Sequence, residues 1–198
     1  MYRVLYHFPG RRALSLRPAE TQRKIISRLP AEIVTSTSGP RVLWRRESDA
    51  RLHVQYPAQP RAEWLLPGAS IKVTDMHPLL AQLAEHQVWD FNLSAHTVQR
   101  HGSREQAVPA DEWLTGSHSG ASRAYRSGFR VLRLSSSGTR RGTAGLARET
   151  RIRGLLQVED PTALQAALEE GIGRGRAQGL GMLSLSRPSL PKGPAGAP

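Results

Sequence analysis

The chain has no cysteine and only three lysines among its 198 residues. The lack of cysteine excludes disulfides, thiolate catalysis and thiolate metal sites. No apolar run reaches the roughly 18 residues of a membrane span, and no signal-peptide pattern opens the chain, so we expect a cytoplasmic protein without a membrane partner. The seven histidines show neither HxH nor HExxH spacing, so the sequence predicts no metal site and no other cofactor.

Arginine supplies almost all of the positive charge. Lysine and arginine number 28 against 16 acidic residues, which gives a formal net charge of +12. Residues 1–60 and 100–156 each hold 11 basic and 4 acidic side chains, whereas residues 61–99 hold 2 and 4. Guanidinium groups suit bidentate contacts with phosphate and stacking on bases. A groove lined by both basic blocks would attract a nucleic-acid backbone; the alternative is two basic faces that are solvated independently.

Hydrophobic patterns and helix signals follow one another in a defined order through the first half of the chain. Pro18 suits the first turn of a helix, and Pro30 closes it. The predicted order is strand, helix, strand, strand, helix and strand, over residues 1–8, 18–29, 41–46, 50–56, 76–87 and 88–94. This order is the ferredoxin-like arrangement.

The second half partly repeats this pattern. Asp160 is an N-cap residue ahead of Pro161, which predicts a helix start there. The predicted elements are a helix, two strands, a helix and a short strand, over residues 111–126, 129–134, 150–158, 161–171 and 181–185. We therefore predict an α+β protein with two tandem ferredoxin-like domains, a fold whose open sheet binds RNA in RNA-recognition modules. The predicted limits are an N-terminal domain at 1–95, a basic linker at 96–106, a C-terminal domain at 107–186 and a disordered Pro/Gly-rich tail at 187–198.

The most specific stretch is the Gly-rich segment, residues 171–185 (GIGRGRAQGLGMLSL), which holds five glycines within eleven residues. Glycines allow positive φ and close approach of the backbone, and Arg174 and Arg176 add charge beside exposed N–H groups, as in a phosphate cradle. The other interpretation is a loop that needs tight turns. A Walker A loop is excluded because no Gly-Lys-Ser/Thr follows. A dinucleotide fingerprint is excluded because the segment follows a helix and enters a strand.

The Gly-rich segment and the helix before it (TALQAALEE) resemble the C-terminal signature of the CRISPR-associated CasE (Cse3) repeat endoribonucleases. Residues 40–45 (PRVLWR) resemble the second strand of actinobacterial-type members of that family. Residues 79–93 (LLAQLAEHQVWDFNL) resemble the helix and strand that close its first domain. The similarity runs in order through nearly the whole chain, to about Arg187. It indicates either a type I-E enzyme or a related type IV counterpart.

The resemblance implies two ferredoxin-like domains and a protein that binds the hairpin of CRISPR repeat transcripts. The family cuts once at the base of the stem without a metal: the RNA 2′-hydroxyl attacks the adjacent phosphate and leaves a 2′,3′-cyclic end. The enzyme usually keeps the hairpin, so the implied partners are CRISPR repeat RNA and the other subunits of a multi-protein effector complex. The residues predicted to contact RNA are Gly173, Arg174, Gly175, Arg176, Gln178 and Gly179 in the Gly-rich segment, Arg100, His101 and Arg104 in the linker, and Arg140 and Arg141 in a loop between two strands.

The sequence departs from the family at the residue that carries acid–base chemistry. The family has a histidine about seven residues before the Phe-Pro or Leu-Pro that ends its first helix. Here Leu29 and Pro30 match that ending, and Gln22 stands in the place of the histidine. Glutamine cannot exchange a proton near neutral pH, so the usual role is unfilled.

Three alternatives follow from this departure. His7 or Tyr6, on the neighbouring predicted strand, supplies the missing catalytic group. Alternatively, Arg23 and Arg28 stabilise the charge of the phosphorane, as arginines are thought to do in the type IV relatives. In the third alternative the protein binds the hairpin without cutting it, as a cap subunit. A more distant interpretation is an unrelated RNA-binding module with the same fold. The four tryptophans are expected in the core rather than as platforms for base stacking.

Overall fold

The computed structural model describes residues 1–9, 17–35, 41–101, 104–116, 121–141 and 148–188. These residues form two four-stranded antiparallel sheets, a two-stranded hairpin and several short helices. No helix among them is long and apolar enough to cross a membrane. From position 189 onward, the tail predicted to be disordered lies outside the described residues.

The first sheet has the strand order β2-β3-β1-β4. In chain order its strands are β1 (Tyr2–His7), β2 (Leu43–Ser48), β3 (Arg51–Tyr56) and β4 (Ser70–Asp75). Successive side chains point to opposite faces of a strand. β1 therefore turns Val4 and Tyr6 into one core, where they pack with Trp44 of β2 and Ile25 of the following helix.

Two helices connect β1 to β2: α1 (Pro18–Ile26) and α2 (Ala31–Thr35). α1 begins where the sequence predicts, because the backbone N–H of Arg17 donates to the Glu20 carboxylate at 2.8 Å and satisfies the start of the helix. Between β3 and β4 the chain forms only a 3-10 turn, Ala62–Trp64, where the ferredoxin-like arrangement has its second helix.

The fourth strand of the first sheet is not the predicted one. The sequence predicts no strand at β4, yet β4 pairs with β1 along its whole length. All six of its side chains are exposed, including Ile71 and Val73 at 43% and 45%. The missing second helix explains this exposure, since no element in the described part of the chain covers β4 on the face that β1 buries.

The predicted strand at 88–94 forms β5 (Val88–His96), and it pairs in the second sheet rather than in the first. Before it, α3 (His77–Ala81) is shorter than the predicted helix at 76–87. Met76 and Leu80 also belong to the core of the second sheet. We therefore propose a limit of the N-terminal domain between residues 75 and 88 instead of 95.

The residues predicted as a linker contain a β-hairpin, β6 (Val98–His101) and β7 (Arg104–Ala107). The hairpin continues directly from β5. Its base is closed by the N–H of Val108, which donates to the carbonyl of Thr97 at 3.0 Å. The basic side chains of this region are therefore carried by paired strands.

The second sheet has the strand order β10-β5-β9-β8. Its remaining strands are β8 (Phe129–Arg141), β9 (Arg148–Val158) and β10 (Ser184–Ser186). When the four strands of each sheet are numbered 1 to 4 in chain order, both sheets have the ferredoxin-like strand order 4-1-3-2. The prediction of two tandem ferredoxin-like domains is confirmed. β8 and β9 extend well into the stretch between 134 and 150 that the sequence predicts as a loop.

Three helices pack in the second half: α4 (Ala110–Thr115), α5 (Arg123–Arg126) and α6 (Pro161–Glu170). The first two replace the single helix predicted at 111–126. α6 starts as predicted, because the Asp160 carboxylate accepts a hydrogen bond from the N–H of Ala163 at 3.0 Å. The prediction that the tryptophans lie in the core is confirmed, since all four are buried: Trp44, Trp64, Trp89 and Trp113.

Candidate nucleic-acid interface

The Gly-rich segment forms a loop closed at its base between α6 and β10. The N–H of Ile172 donates to the carbonyl of Gly181 at 2.8 Å, and the N–H of Gly181 donates to the carbonyl of Ser94 on β5 at 2.7 Å. A 3-10 turn, Arg176–Gln178, lies at the far end of the loop. The five glycines of the Gly-rich segment have positive φ angles between 81° and 87°, as the interpretation of tight turns predicts: Gly171, Gly173, Gly175, Gly179 and Gly181.

One side of this loop packs on the first sheet. A Cβ atom on Gly179 would lie 2.6 Å from the indole ring of Trp44, so only glycine allows this approach. The indole N–H of Trp44 donates to the side-chain oxygen of Gln22. The 3-10 turn of the loop also packs against α1. The Gly-rich segment and the helix predicted to carry the acid–base position are thus in contact.

The opposite side of the loop packs on the second half of the chain. A Cβ atom on Gly173 would lie 2.9 Å from the ring of Trp113 on α4. The Arg123 guanidinium lies over that ring, 4.6 Å from its centroid, and donates to the Trp113 carbonyl at 2.8 Å. The Gly-rich segment therefore bridges the two halves through two buried tryptophans.

Two buried arginines hold the chain just after the loop. Arg45 of β2 donates to the carbonyls of Asn92 and Met182 at 3.1 and 3.3 Å, and Arg3 of β1 donates to the carbonyl of Leu183. Burial, together with the charge of Arg45, lowers the pKa of Arg3 to about 9. Burial lowers the pKa of Arg45 to about 10, although the Glu47 carboxylate acts in the opposite direction. These carbonyl contacts fix the Gly-rich segment on the first sheet.

The predicted catalytic residues do not form one cluster. Gln22 and Arg23 lie on α1, next to the Gly-rich segment, and Arg23 is exposed. Tyr6 is completely buried, and its hydroxyl is hydrogen-bonded to that of Tyr56 at 2.8 Å, so it has no path to a substrate in this structure. Burial also raises the pKa of Tyr6, which disfavours a role as a base.

The other two candidates are directed elsewhere. Arg28 donates to the carbonyls of Glu63 and Leu65 at 3.3 and 3.1 Å, which gives its guanidinium a structural role beside the 3-10 turn that precedes β4. His7 is exposed and lies one residue from the buried Tyr6 in β1. It therefore faces the side of the first sheet opposite to α1. Neither side chain joins Gln22 and Arg23.

The predicted RNA-binding residues lie on three elements. Arg174 is 72% exposed and forms an ion pair with Glu105 of β7 at 3.5 Å, so the β6–β7 hairpin meets the Gly-rich segment. Gln178 is exposed. Arg176 is half-buried and donates to the Gly171 carbonyl at 3.2 Å. Burial, followed by the charge of Arg41, lowers its pKa.

The remaining predicted contacts can be described by backbone position only, because their side chains lie outside what the structure describes. Arg100 and His101 end β6, and Arg104 begins β7, opposite His101. Arg140 and Arg141 lie at the paired end of β8, opposite Glu149 and Arg148 of β9.

Two arginines that the sequence does not single out connect these surfaces. Arg46 donates to the hydroxyl of Thr21 on α1 at 3.0 Å. Arg151 of β9 donates to the carbonyl of Arg46 at 3.0 Å and forms an ion pair with Glu149 at 3.6 Å. The basic block at 100–156 was the available signal for Arg151, but no local spacing relates it to α1.

Comparisons with known proteins bear on this geometry. A family model described as "CRISPR associated protein" matches residues 9–187. The chain belongs to this family. A comparison with curated protein sequences found no match. The family assignment agrees with the resemblance carried by the Gly-rich segment.

Solved structures of the family superpose on nearly the whole chain. A structure of CRISPR endoribonuclease Cse3 bound to a 19-nucleotide RNA matches with a TM-score of 0.77 and 26% identity, over 93% of this chain and 97% of that one. Cas6e from Escherichia coli K-12 matches with a TM-score of 0.67 and 19% identity, over 94% and 100%. A chain of the E. coli Cascade bound to a double-stranded DNA target matches with a TM-score of 0.58 and 18% identity, over 93% and 98%. The predicted resemblance to Cse3-type proteins is confirmed.

Proposed function

We propose that this protein binds the stem-loop of CRISPR repeat RNA, cleaves it at the base of the stem, and keeps the product as a subunit of an effector complex. The contact between the Gly-rich segment and α1 carries the proposal: Gly179 packs on Trp44, which donates to Gln22. The parts of the chain that the resemblance assigns to RNA binding and to chemistry therefore adjoin. The similarity to an endoribonuclease bound to RNA and to a chain of Cascade supports the same function.

The proposed reaction uses the RNA as its own nucleophile. The 2′-hydroxyl loses its proton and attacks the adjacent phosphorus. The 5′-oxygen then leaves and takes up a proton, so the products are a 2′,3′-cyclic phosphate and a 5′-hydroxyl. At the acid–base position this protein has Gln22, whose side-chain oxygen accepts from Trp44. A carboxamide has no proton to exchange near neutral pH, so proton transfer falls to water or to the RNA.

Arg23 is the candidate for stabilising the phosphorane. It is exposed on α1 directly after Gln22. A fixed donor aimed at developing charge contributes about 10²–10³ in rate. A guanidinium with a pKa above about 12 is a poor general base. We therefore expect slow, near single-turnover cleavage, which a protein that keeps its product can tolerate.

The second candidate function is a cap subunit that binds the hairpin without cutting it. The observation that favours it is again Gln22, because none of the other four predicted catalytic residues places beside it a group that exchanges protons near neutral pH. In that case the Gly-rich segment and the basic surfaces would retain RNA binding while the chemistry is lost.

One experiment distinguishes the two. The purified protein in excess is incubated with its own repeat RNA in EDTA, and the products are resolved on a denaturing gel. A single cut at the stem base with a 2′,3′-cyclic end supports the nuclease. Intact but tightly bound RNA supports the cap subunit. Affinity no higher than for a scrambled hairpin would reject both, and cleavage that strictly requires a divalent metal would exclude the 2′-hydroxyl mechanism.

A further inference from the structure

A pocket lies on the side of the Gly-rich segment away from α1. It is lined by two guanidinium-bearing residues, one carboxylate, one histidine and the edge of a buried indole; its lining residues are His96, Val98, Glu105, Trp113, Arg123, Gly173 and Arg174. No residue of α1 takes part. The pocket is therefore separate from the acid–base position, although it shares the Gly-rich segment with it.

Arg123 is held in place before any ligand arrives. Its guanidinium lies 4.6 Å from the centroid of the Trp113 ring and donates to the Trp113 carbonyl at 2.8 Å. This leaves the rest of the guanidinium, with its other N–H groups, at the pocket. A planar cation that is already fixed loses little side-chain entropy when it binds an anion.

Arg174 reaches the same pocket from the other side. It is 72% exposed and is paired with Glu105 at 3.5 Å, a distance longer than a charge-assisted hydrogen bond. An exposed ion pair of this kind is weak and is readily exchanged for another anion. Burial, followed by the charges of Arg126 and Arg174, lowers the pKa of Arg123.

The backbone adds hydrogen-bond donors at the same place. No residue that the structure describes accepts a hydrogen bond from the N–H of Gly173 or of Arg174. Gly173 has a φ of 83° and packs on the ring of Trp113. Successive backbone N–H groups beside glycines with positive φ are a common feature of backbone anion sites.

We propose that this pocket holds one phosphate group of the bound RNA, with Arg123 and Arg174 as its guanidinium donors and Glu105 as the carboxylate that the phosphate displaces from Arg174. The proposal rests on the proposed RNA binding and adds a second contact point on the Gly-rich segment. An RNA strand that crosses the Gly-rich segment would be held at the pocket by one phosphate, while another part of the same RNA strand lies at α1. A phosphate fits better than a base, because Trp113 is buried and Arg123 covers its ring.

The test compares the dissociation constants of the repeat RNA for the full-length wild type and three variants. Glu105→Gln removes the competing carboxylate, so we expect about threefold tighter binding. Arg123→Gln removes a fixed donor, so we expect about tenfold weaker binding. Arg130→Gln removes the same charge from an exposed site on β8 outside the pocket, where Arg130 is paired with Glu159, and we expect a change of less than about twofold.

Glu105→Gln keeps the proposal falsifiable, because a damaged fold cannot strengthen binding. Unchanged or weaker binding of this variant overturns the pocket. The ratio of the variant's dissociation constant to that of the wild type is measured with the repeat RNA and with a scrambled hairpin. The preference for the repeat over the scrambled hairpin is judged on the wild type alone. A failure of the pocket is thereby distinguishable from a failure of the proposed function. If inorganic phosphate, replacing chloride at equal ionic strength, raises the melting temperature of Glu105→Gln while RNA affinity does not change, the pocket binds a free anion and the RNA assignment is wrong.

Discussion

The indole N–H of Trp44 donates a hydrogen bond to the side-chain oxygen of Gln22, across the contact between β2 and α1. An indole nitrogen can only donate, so the oxygen of the carboxamide must face it. The amide nitrogen of Gln22 is thereby turned away from Trp44. The position that the resemblance assigns to proton transfer is held in a defined orientation by a residue that also packs on Gly179.

This geometry predicts that Gln22→His raises the cleavage rate. An imidazole at this place can accept and return a proton near neutral pH, and general acid–base catalysis contributes about 10²–10⁴ in rate. The measurement is single-turnover cleavage of repeat RNA in EDTA. Gln22→Ala is the control and should give no gain. A histidine variant no faster than the wild type would mean that α1 is not the catalytic helix of this protein.

Gly179 is predicted to be the least replaceable glycine of its segment. Gly179→Ala combines a φ of 81° with a contact of 2.6 Å to the Trp44 ring. The matched control is Gly68→Ala, which has a φ of 76° but no atom within 4 Å of the added Cβ. The control should lower the free energy of unfolding by about 1 kcal/mol because of the backbone conformation alone. Gly179→Ala should lower it by about 1–3 kcal/mol more because of overpacking. Urea unfolding measures both, and equal costs would refute the packing role of Trp44.

Arg174 and Arg176 are predicted to have different roles although they are two residues apart. Arg174→Ala should weaken binding of the hairpin and reduce the salt slope by about 1, because an exposed phosphate contact is lost. Arg176→Ala should instead lower the free energy of unfolding by about 1–3 kcal/mol, because its guanidinium is bonded to the Gly171 carbonyl. Affinity at several salt concentrations and urea unfolding are measured for each variant. Identical profiles would contradict this division.

His53 gives the fold a dependence on pH. Burial, and then the charge of Arg45, lower its pKa below 6.5, although the Glu47 carboxylate at 3.2 Å acts in the opposite direction. At a pH between the two pKa values, His53 is therefore protonated in the unfolded chain and neutral in the folded chain. Stability should be complete above pH 6.5 and fall as the pH drops through the lower folded pKa.

The check is the free energy of unfolding between pH 7.5 and pH 5, chosen as about one unit or more on either side of an ordinary histidine pKa. His53→Gln should flatten the loss. His7→Gln, which changes an exposed histidine on the same face of the first sheet, is the control and should keep the wild-type profile. An unaltered loss in His53→Gln would exclude His53 as its source.

Elements with strong local signals could be predicted from the sequence. Glu20 and Asp160 mark the starts of α1 and α6, and both make the expected capping bonds. β4 was missed although Ile71 and Val73 alternate with polar residues, which is a strand pattern; its exposed side chains belong to no core, and its pairing with β1 is a long-range contact. The β6–β7 hairpin has mostly polar residues, and because a backbone ladder needs no apolar face, the sequence there resembles a linker.

The parts of the candidate site follow from the resemblance, whereas their arrangement does not. The resemblance identified the Gly-rich segment and the position of Gln22, which are more than 140 residues apart in the chain. That Trp44 joins them is a long-range contact with no local signature. Sequence alone also grouped Tyr6 and His7 with α1, whereas strand alternation places one in the core and the other on the opposite face.

The placement of the Gly-rich segment between Trp44 and Trp113 has a consequence for the modularity of the protein. Each tryptophan belongs to the core of a different sheet, so neither half contains a complete loop surface when taken alone. A ligand on that loop binds only the docked arrangement, and mass action then stabilises the docking itself. A ligand of the whole loop surface would therefore couple the two ferredoxin-like units thermodynamically, and a chimera that exchanged either unit would lose one of the two tryptophan contacts even if both units folded.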